Sequence, residues 1–443
     1  MRNALAGLFL SLPFAALATT LLADGMPAPV DPADYAAADP DEIALGQLLF
    51  YDPILSGNRA VSCASCHHPA FATSDGLALG LGDGGRGLGP ARRADPTNLP
   101  EQRIPRNSPA LFNLGHAEFT TLFHDGRIEV RADGTLRTPL GDDMSEGFAS
   151  ILSAQTMFPV LSPDEMAGHY SENEISQAIR MGRITGEGGA WHLISGRVAG
   201  IPAYAEAFRI YPHIDAPEDI AFTDISNAIA AFIAHEWRSE DSPFDAHLRG
   251  ERPLAGAAAE GMALFYGEAG CAACHSGPFQ TDHGFHAMGA PQIGPGKAAR
   301  FESHARDEGR FRVTGEPADL YAFRTPSLRN VTRTGPWGHA GTHANLRAFL
   351  RDHADPKAGS GRIAGLIETV RLPDLPVEDF RIAGDAAETR RIADAAIGVT
   401  ATLSERDLDA LMSFLAALDD PVALEGRLGS PDAVPSGLPV DHP

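Results

Sequence analysis

A chain of 443 residues, 44% hydrophobic and 21% charged, is long enough for two ordinary globular cores and too apolar to stay unfolded. Its formal net charge of −23 sets it against nucleic acid and anionic lipid and suits a basic protein partner. The 46 glycines and 34 prolines predict long loops between modest helices.

The chain opens with Arg2 and an uncharged, mostly apolar run from Ala4 to Ala23. Small residues stand at Ala16-Leu17-Ala18 and Leu21-Leu22-Ala23. This reads as an export signal over residues 1–23 and predicts a periplasmic protein. No later stretch is long and apolar enough to span a bilayer. Asp39 as N-cap, Pro40 at the first position and Glu42 at the third then open a helix that continues through Ala44–Tyr51.

Cys63-Ala64-Ser65-Cys66-His67 follows, and after it the Gly-rich stretch Gly76–Arg93, which must be loop. Arg106-Asn107-Ser108-Pro109-Ala110-Leu111-Phe112-Asn113 and His124-Asp125-Gly126 come next. Ile220–Trp237 has helical apolar spacing and closes the first half. The order then repeats. Ala259–Tyr266 matches Ala44–Tyr51, and Cys271-Ala272-Ala273-Cys274-His275 matches the first cysteine motif. Arg324-Thr325-Pro326-Ser327-Leu328-Arg329-Asn330 and His339-Ala340-Gly341 echo the downstream segments. Leu403–Leu418 is a late helix opened by Ser404 and Asp407. Beyond about residue 425 the Pro- and Gly-rich chain is expected to drape over the surface.

Both cysteine motifs are C-x-x-C-H, the pentapeptide that attaches c-type haem. Two thiols three apart add to the haem vinyl groups, and the following His sits under the iron. The two motifs use all four cysteines. Disulfides are the default in an exported protein, but the spacing speaks against them. A Cys₄ zinc site would leave both histidines unexplained. The fold expected is mainly α with long loops and little sheet. It consists of two cytochrome c-like haem domains related by internal duplication, residues 24–240 and 241–425, with a tail at 426–443.

With R-N-S-P-x-L-x-N, F-x-D-G-R, P-x5-E-M and T-P-S-L-R-N in place, the chain resembles the bacterial dihaem cytochrome c peroxidases and their MauG relatives, from about residue 40 to 425. The resemblance implies that peroxide reacts at the N-terminal haem, bound by Cys63, Cys66 and His67. The C-terminal haem, on Cys271, Cys274 and His275, relays or stores electrons. Gln155, Pro159 and Glu165 keep the spacing of the family's peroxide pocket, where a carboxylate moves a proton between the peroxide oxygens. Many members close the first iron with a His in the following loop. No histidine lies between His68 and His116, and His68 is badly placed for the distal face, so this iron is expected to be open.

For the second iron the resemblance points fourteen residues past His339, to His353. Ligation by His275 and His353 would give a lower potential than His/Met. His339 and His343 are weaker candidates. A Ca²⁺ between the domains is implied at the Asn107 side chain and the carbonyls of Thr334 and Pro336. His124 stands where the family has an inter-haem Trp, Trp337 reads as packing beside a haem, and His283 and His286 are expected to bond propionates or backbone. The implied activity is reduction of H₂O₂ to water with electrons from a small cytochrome c or cupredoxin. The rival is a MauG-like oxidase of a protein or small-molecule partner, and a plain dihaem electron carrier ranks third. Family members often form homodimers.

Overall fold

The structure, a computed structural model, describes residues 25–144, 146–298, 302–360, 362–397 and 401–442. The expected export signal lies outside them. The described chain is mainly helical. Its strands are two or three residues long and form three small antiparallel sheets: Gly85–Arg86 with Arg93–Ala94, Thr121–Leu122 with Ile128–Val130 and Leu136–Arg137, and Phe285–Ala287 with Ala322–Arg324. Gly76–Arg93 is loop apart from Gly85–Arg86, the edge residue Arg93 and one 3₁₀ turn, Gly89–Ala91.

Helix α1, Pro40–Tyr51, starts where the sequence placed it, with the Asp39 carboxylate accepting the Asp41 amide. It crosses α3, Phe222–Glu236, after the short α2, Ile151–Thr156. In the second half α4, Gly256–Phe265, crosses α6, Glu405–Ala416, with α5, Leu346–Ala354, between them in the chain. The two crossings are built alike. A Cβ on Gly46 would lie 1.8 Å from Ala228 O and 2.9 Å from Phe232 Cβ; a Cβ on Gly261 would lie 1.9 Å from Ala410 O and 2.9 Å from Phe414 Cβ. Glycine lets each pair of backbones touch. The next turn seals each crossing with rings, Phe50 on Phe232 at 5.4 Å and Phe265 on Phe414 at 5.1 Å.

Asn113 and Asn330 repeat a second device. Both are left-handed (φ 63° and 59°). The Asn113 amide donates to Trp237 O and its Oδ1 accepts from Ser239 N; the Asn330 amide donates to Leu418 O and its Oδ1 accepts from Asp420 N. Each thus ties a post-motif loop to the end of its half's last long helix.

The segment after residue 425 runs along the surface of the first half, with Val434 its one buried residue among 426–442, and is hydrogen-bonded down to it. Ala423 and Val434 are buried in the first half's core, Gly429 N and Leu428 N donate to the Glu236 carboxylate, Ser436 Oγ donates to Asp52, and Ser65 Oγ donates to Asp441 at 2.5 Å. The physical reason is burial. Glu236 and Asp52 are almost fully enclosed and need donors, which the tail supplies.

Candidate functional site

Each C-x-x-C-H motif folds as a 3₁₀ turn, Cys63–Ser65 and Cys271–Ala273. In both, the histidine amide donates to the first cysteine's carbonyl at 2.9 Å, which places the ring over the turn. The four cysteines are free thiols. The His67 Nδ1 faces Thr73 O at 3.0 Å, and the His275 Nδ1 faces Gln280 O at 2.9 Å. A carbonyl only accepts, so each Nδ1 carries the hydrogen and each Nε2 keeps its lone pair. Burial pushes both imidazoles below their ordinary pKa, which keeps them neutral and ready to bind a metal. Thr73 and Gln280 are themselves left-handed, at φ 61° and 51°. Holding non-glycine residues there costs about 1–2 kcal/mol each, and both halves accept that cost to aim a carbonyl at the ring.

A cavity of about 360 Å³ opens beside the second motif, walled by Cys271, Cys274, His275, Trp337 and His353. His353 comes from α5, stacked on Phe349 one turn earlier. The His275 and His353 ring centres lie 6.0 Å apart. An ion bonded to one nitrogen of each ring at about 2.0–2.1 Å, the usual metal–imidazole length, leaves ring centres about 6 Å apart. Burial, then the neighbouring His275 and His343, push His353 down to about 3, so it is neutral at physiological pH.

The cavity continues to Gln155, His124, Arg324 and His339. Gln155 ends near the close of α2, with its Oε1 buried and without a hydrogen-bond partner. Pro159 begins the 3₁₀ turn Pro159–Leu161, and Glu165 sits in the π turn Pro163–Ala167 that follows. Three consecutive amides of that turn, Glu165, Met166 and Ala167, converge on Ser162 O. Such single π turns often carry functional residues. Burial pushes the Glu165 carboxyl up, opposed by Lys297 and Arg127. Glu165, with Asp75 and Arg92, also acts electrostatically on the Cys66 thiol, which puts it on the first motif's side. The backbone under it is fixed: Asp83 N donates to Glu165 O at 2.8 Å, and a Cβ on Gly82 would lie 2.6 Å from Glu165 Cα.

Between the motifs lies a buried charged network. Arg106 binds Asp307 through two hydrogen bonds and Asp125 through a third at 2.7 Å, and Arg127 joins Asp125 at 2.9 Å. Burial, with Arg106 next, lowers His124 to about 3; burial also lowers His339 to about 4. His339 stacks on Phe323 at 3.9 Å, and its Nε2 has no partner. Arg324 is half-buried, lowered to about 10 by desolvation, and bonds carbonyls, Phe123 O at 3.2 Å and Thr325 O at 3.4 Å. A guanidinium held this way on a cavity wall suits a carboxylate-bearing ligand.

The profile of the family described as Di-haem cytochrome c peroxidase matches residues 40–253. The methylamine utilization protein MauG of Methylorubrum extorquens is 32% identical over 315 residues, 71% of this chain and 68% of that protein. Cytochrome c551 peroxidase of Pseudomonas aeruginosa is 29% identical over 300 residues, 67% of each chain. The chain belongs to the di-haem cytochrome c peroxidase family. A MauG-like protein associated with microbial copper homeostasis has the same fold, with a TM-score of 0.57 and 25% identity over 90% of this chain and 95% of that one.

As a di-haem peroxidase family member the chain is an oxidoreductase, and the family implies haem c as cofactor. The residues present fit that group: two neutral imidazoles with Nε2 lone pairs, paired thiols, a cavity beside one motif, an orphaned Gln155 oxygen and a half-buried arginine held by carbonyls. His68 caps the turn Pro69–Phe71 through its Nδ1, away from any ligand role. His343 is bonded to Asp352 at 3.1 Å. Trp337 donates to Val331 O at 2.8 Å and packs in the second core. His283 and His286 face the chain's own carboxylates through Nε2, Glu118 at 3.0 Å and Asp282 at 2.8 Å. Asn107, Thr334 and Pro336 line one cavity, and the Asn107 amide nitrogen donates to Leu77 O, leaving Oδ1 to another partner.

Sequence reasoning named Arg106 and Arg324 only as members of the repeated segments, without a role, and missed Asp307 and Lys297. Arginines and aspartates are too common in this chain to stand out. Lys297 had a signal, being one of only two lysines in the sequence.

Proposed function

We propose that this chain is a periplasmic peroxidase that reduces H₂O₂ to water with electrons from a small cytochrome c or cupredoxin. Cys63, Cys66 and His67 would hold one haem. Cys271, Cys274, His275 and His353 would hold the other. When bound, the haems supply the redox chemistry. Glu165 takes a proton from the incoming peroxide and returns it to the departing oxygen. Gln155, with its buried free Oε1, orients the peroxide by accepting a hydrogen bond, and Pro159 sets the turn between them. The observation that carries this reading is the half-buried Glu165 fixed in a π turn on the first motif's side. Glu165→Gln tests it: slowed peroxide cleavage at full haem content supports the role, and unchanged kinetics remove it.

The reading extends to the architecture: two duplicated haem domains, residues 24–240 and 241–425, with 426–443 fastened to the first. The matched crossings at Gly46 and Gly261 support it. Asn107 with the Thr334 and Pro336 carbonyls is the proposed Ca²⁺ site, residues 1–23 the export signal, and a homodimer the proposed assembly. No helix among the described residues is long and apolar enough to cross a membrane.

A MauG-like oxidation of a partner is the second reading. His353 at the second haem and His124 in place of the inter-haem Trp favour it, since both alter how an oxidising equivalent is stored. Peroxide that leaves both haems in a long-lived oxidised state, with little donor turnover, decides for it.

A further inference from the structure

Behind the Glu165 turn, three side chains converge that neither haem motif nor the Ca²⁺ residues use. Asp83, His169 and Glu172 each offer one ligand atom, and these atoms lie within 4.8 Å of one another. Asp83 is 1% exposed. Its Oδ2 accepts from Asn58 Nδ2 at 2.8 Å and Asn98 Nδ2 at 3.2 Å, but its Oδ1 is buried with no partner. The His169 Nε2 is likewise buried with no partner. Glu172 accepts the His169 amide at 2.6 Å and a short bond from Asn58 Nδ2.

A buried carboxylate oxygen without a donor is unfavourable, and a second carboxylate beside it makes it worse. A guanidinium or ammonium would resolve this, as Arg106 does for Asp307. The groups that act most strongly on Asp83 are Asn58, Glu172, His169 and Asn98, with no arginine or lysine among them. The missing element is a cation.

We propose that Asp83, His169 and Glu172 bind a divalent first-row transition ion of the Zn²⁺ or Mn²⁺ class. Ligand bonds of about 2.0–2.2 Å bridge atoms at this spacing after small side-chain rotations. One imidazole with two carboxylates favours such an ion over Ca²⁺ or Mg²⁺, which prefer oxygen alone. Asn58 is the outer partner, its amide touching both carboxylates and fixing their orientation. Asp83 N donates to Glu165 O at 2.8 Å, so the ion would brace the loop on which the Glu165 turn rests.

The experiment is calorimetric titration of Zn²⁺ into chelator-treated full-length dihaem protein with Ca²⁺ restored. The expected result is one Zn²⁺ bound per chain, with affinity falling at least about tenfold in His169→Gln and in Glu172→Gln. Both positions are more open than Asp83, so these variants should keep the haem absorption spectrum, which reports correct folding. Asp83→Asn is a third variant where it folds. No Zn²⁺ binding, or unchanged affinity and stoichiometry in both the His169 and Glu172 variants, overturns the proposal.

Discussion

Arg106 and Asp307 join through two hydrogen bonds of 2.6 and 2.7 Å across 201 residues of sequence, in a buried setting. The same guanidinium holds Asp125, so one arginine locks the loop after the first motif to the segment before Phe323.

Removing one partner of such a pair leaves an uncompensated buried charge. Asp307→Asn should therefore cost about 3–5 kcal/mol of stability. The pH dependence follows. Burial alone would raise the Asp307 carboxyl, but Arg106 holds it at about 2, below its ordinary value near 4. A depressed carboxylate contributes stability that is present above pH 4 and lost as pH falls toward 2. Denaturant melts of the dihaem protein should show a wide gap between wild type and variant at pH 7, narrowing as the pH drops. A gap independent of pH would reject this role.

The helix crossings give a paired test. Gly46→Ala and Gly261→Ala drive a methyl to within 1.8 and 1.9 Å of a facing carbonyl oxygen. Each should lower the melting temperature, with overpacking costing about 1–3 kcal/mol or more. Gly196→Ala, in helix Ala190–Ala199 with nothing within 4 Å, should instead stabilise by up to about 1 kcal/mol. Equal effects at the three positions would contradict the assigned close approach.

Those glycines illustrate what the sequence disclosed. The repeat Ala44–Tyr51 and Ala259–Tyr266 placed Gly46 and Gly261 at matching positions, and the Asp39 and Ser404 caps marked two helix starts. Cysteine spacing identified the motifs because covalent chemistry tolerates little variation. The carbonyls that fix the rings, Thr73 O and Gln280 O, were invisible, since any residue carries a carbonyl and left-handed non-glycine backbone has no reliable composition signal. The tail's return to Asp52 and Glu236 is a long-range event that no local pattern announces. Arg106–Asp307 is hidden for the same reason.

His353 is testable by spectroscopy. If it holds the second iron opposite His275, His353→Met should raise that haem's potential, within the span of about 0.8 V that axial ligands cover. It should also change its ferric electron paramagnetic resonance signal. An unchanged signal and potential would show that His353 is only a packing residue.

Lys297 should tune Glu165. It opposes the burial that raises the carboxyl, so Lys297→Met should raise the pH at which Glu165 ionises. The acid limb of the kcat/KM profile for peroxide should then move to higher pH with haem content unchanged. A limb that stays in place, or moves to lower pH, would disconnect Lys297 from Glu165.

The central claim is that Glu165 serves a peroxide-reactive first haem while the second relays electrons. The direct measurement is rapid mixing of the purified dihaem protein with H₂O₂ and a reduced small cytochrome or cupredoxin, comparing wild type with Glu165→Gln. The account predicts many turnovers of donor oxidation in the wild type and a slowing of about 10²–10⁴-fold in the variant. Equal rates in the two proteins, or no peroxide consumption by the wild type, would contradict it.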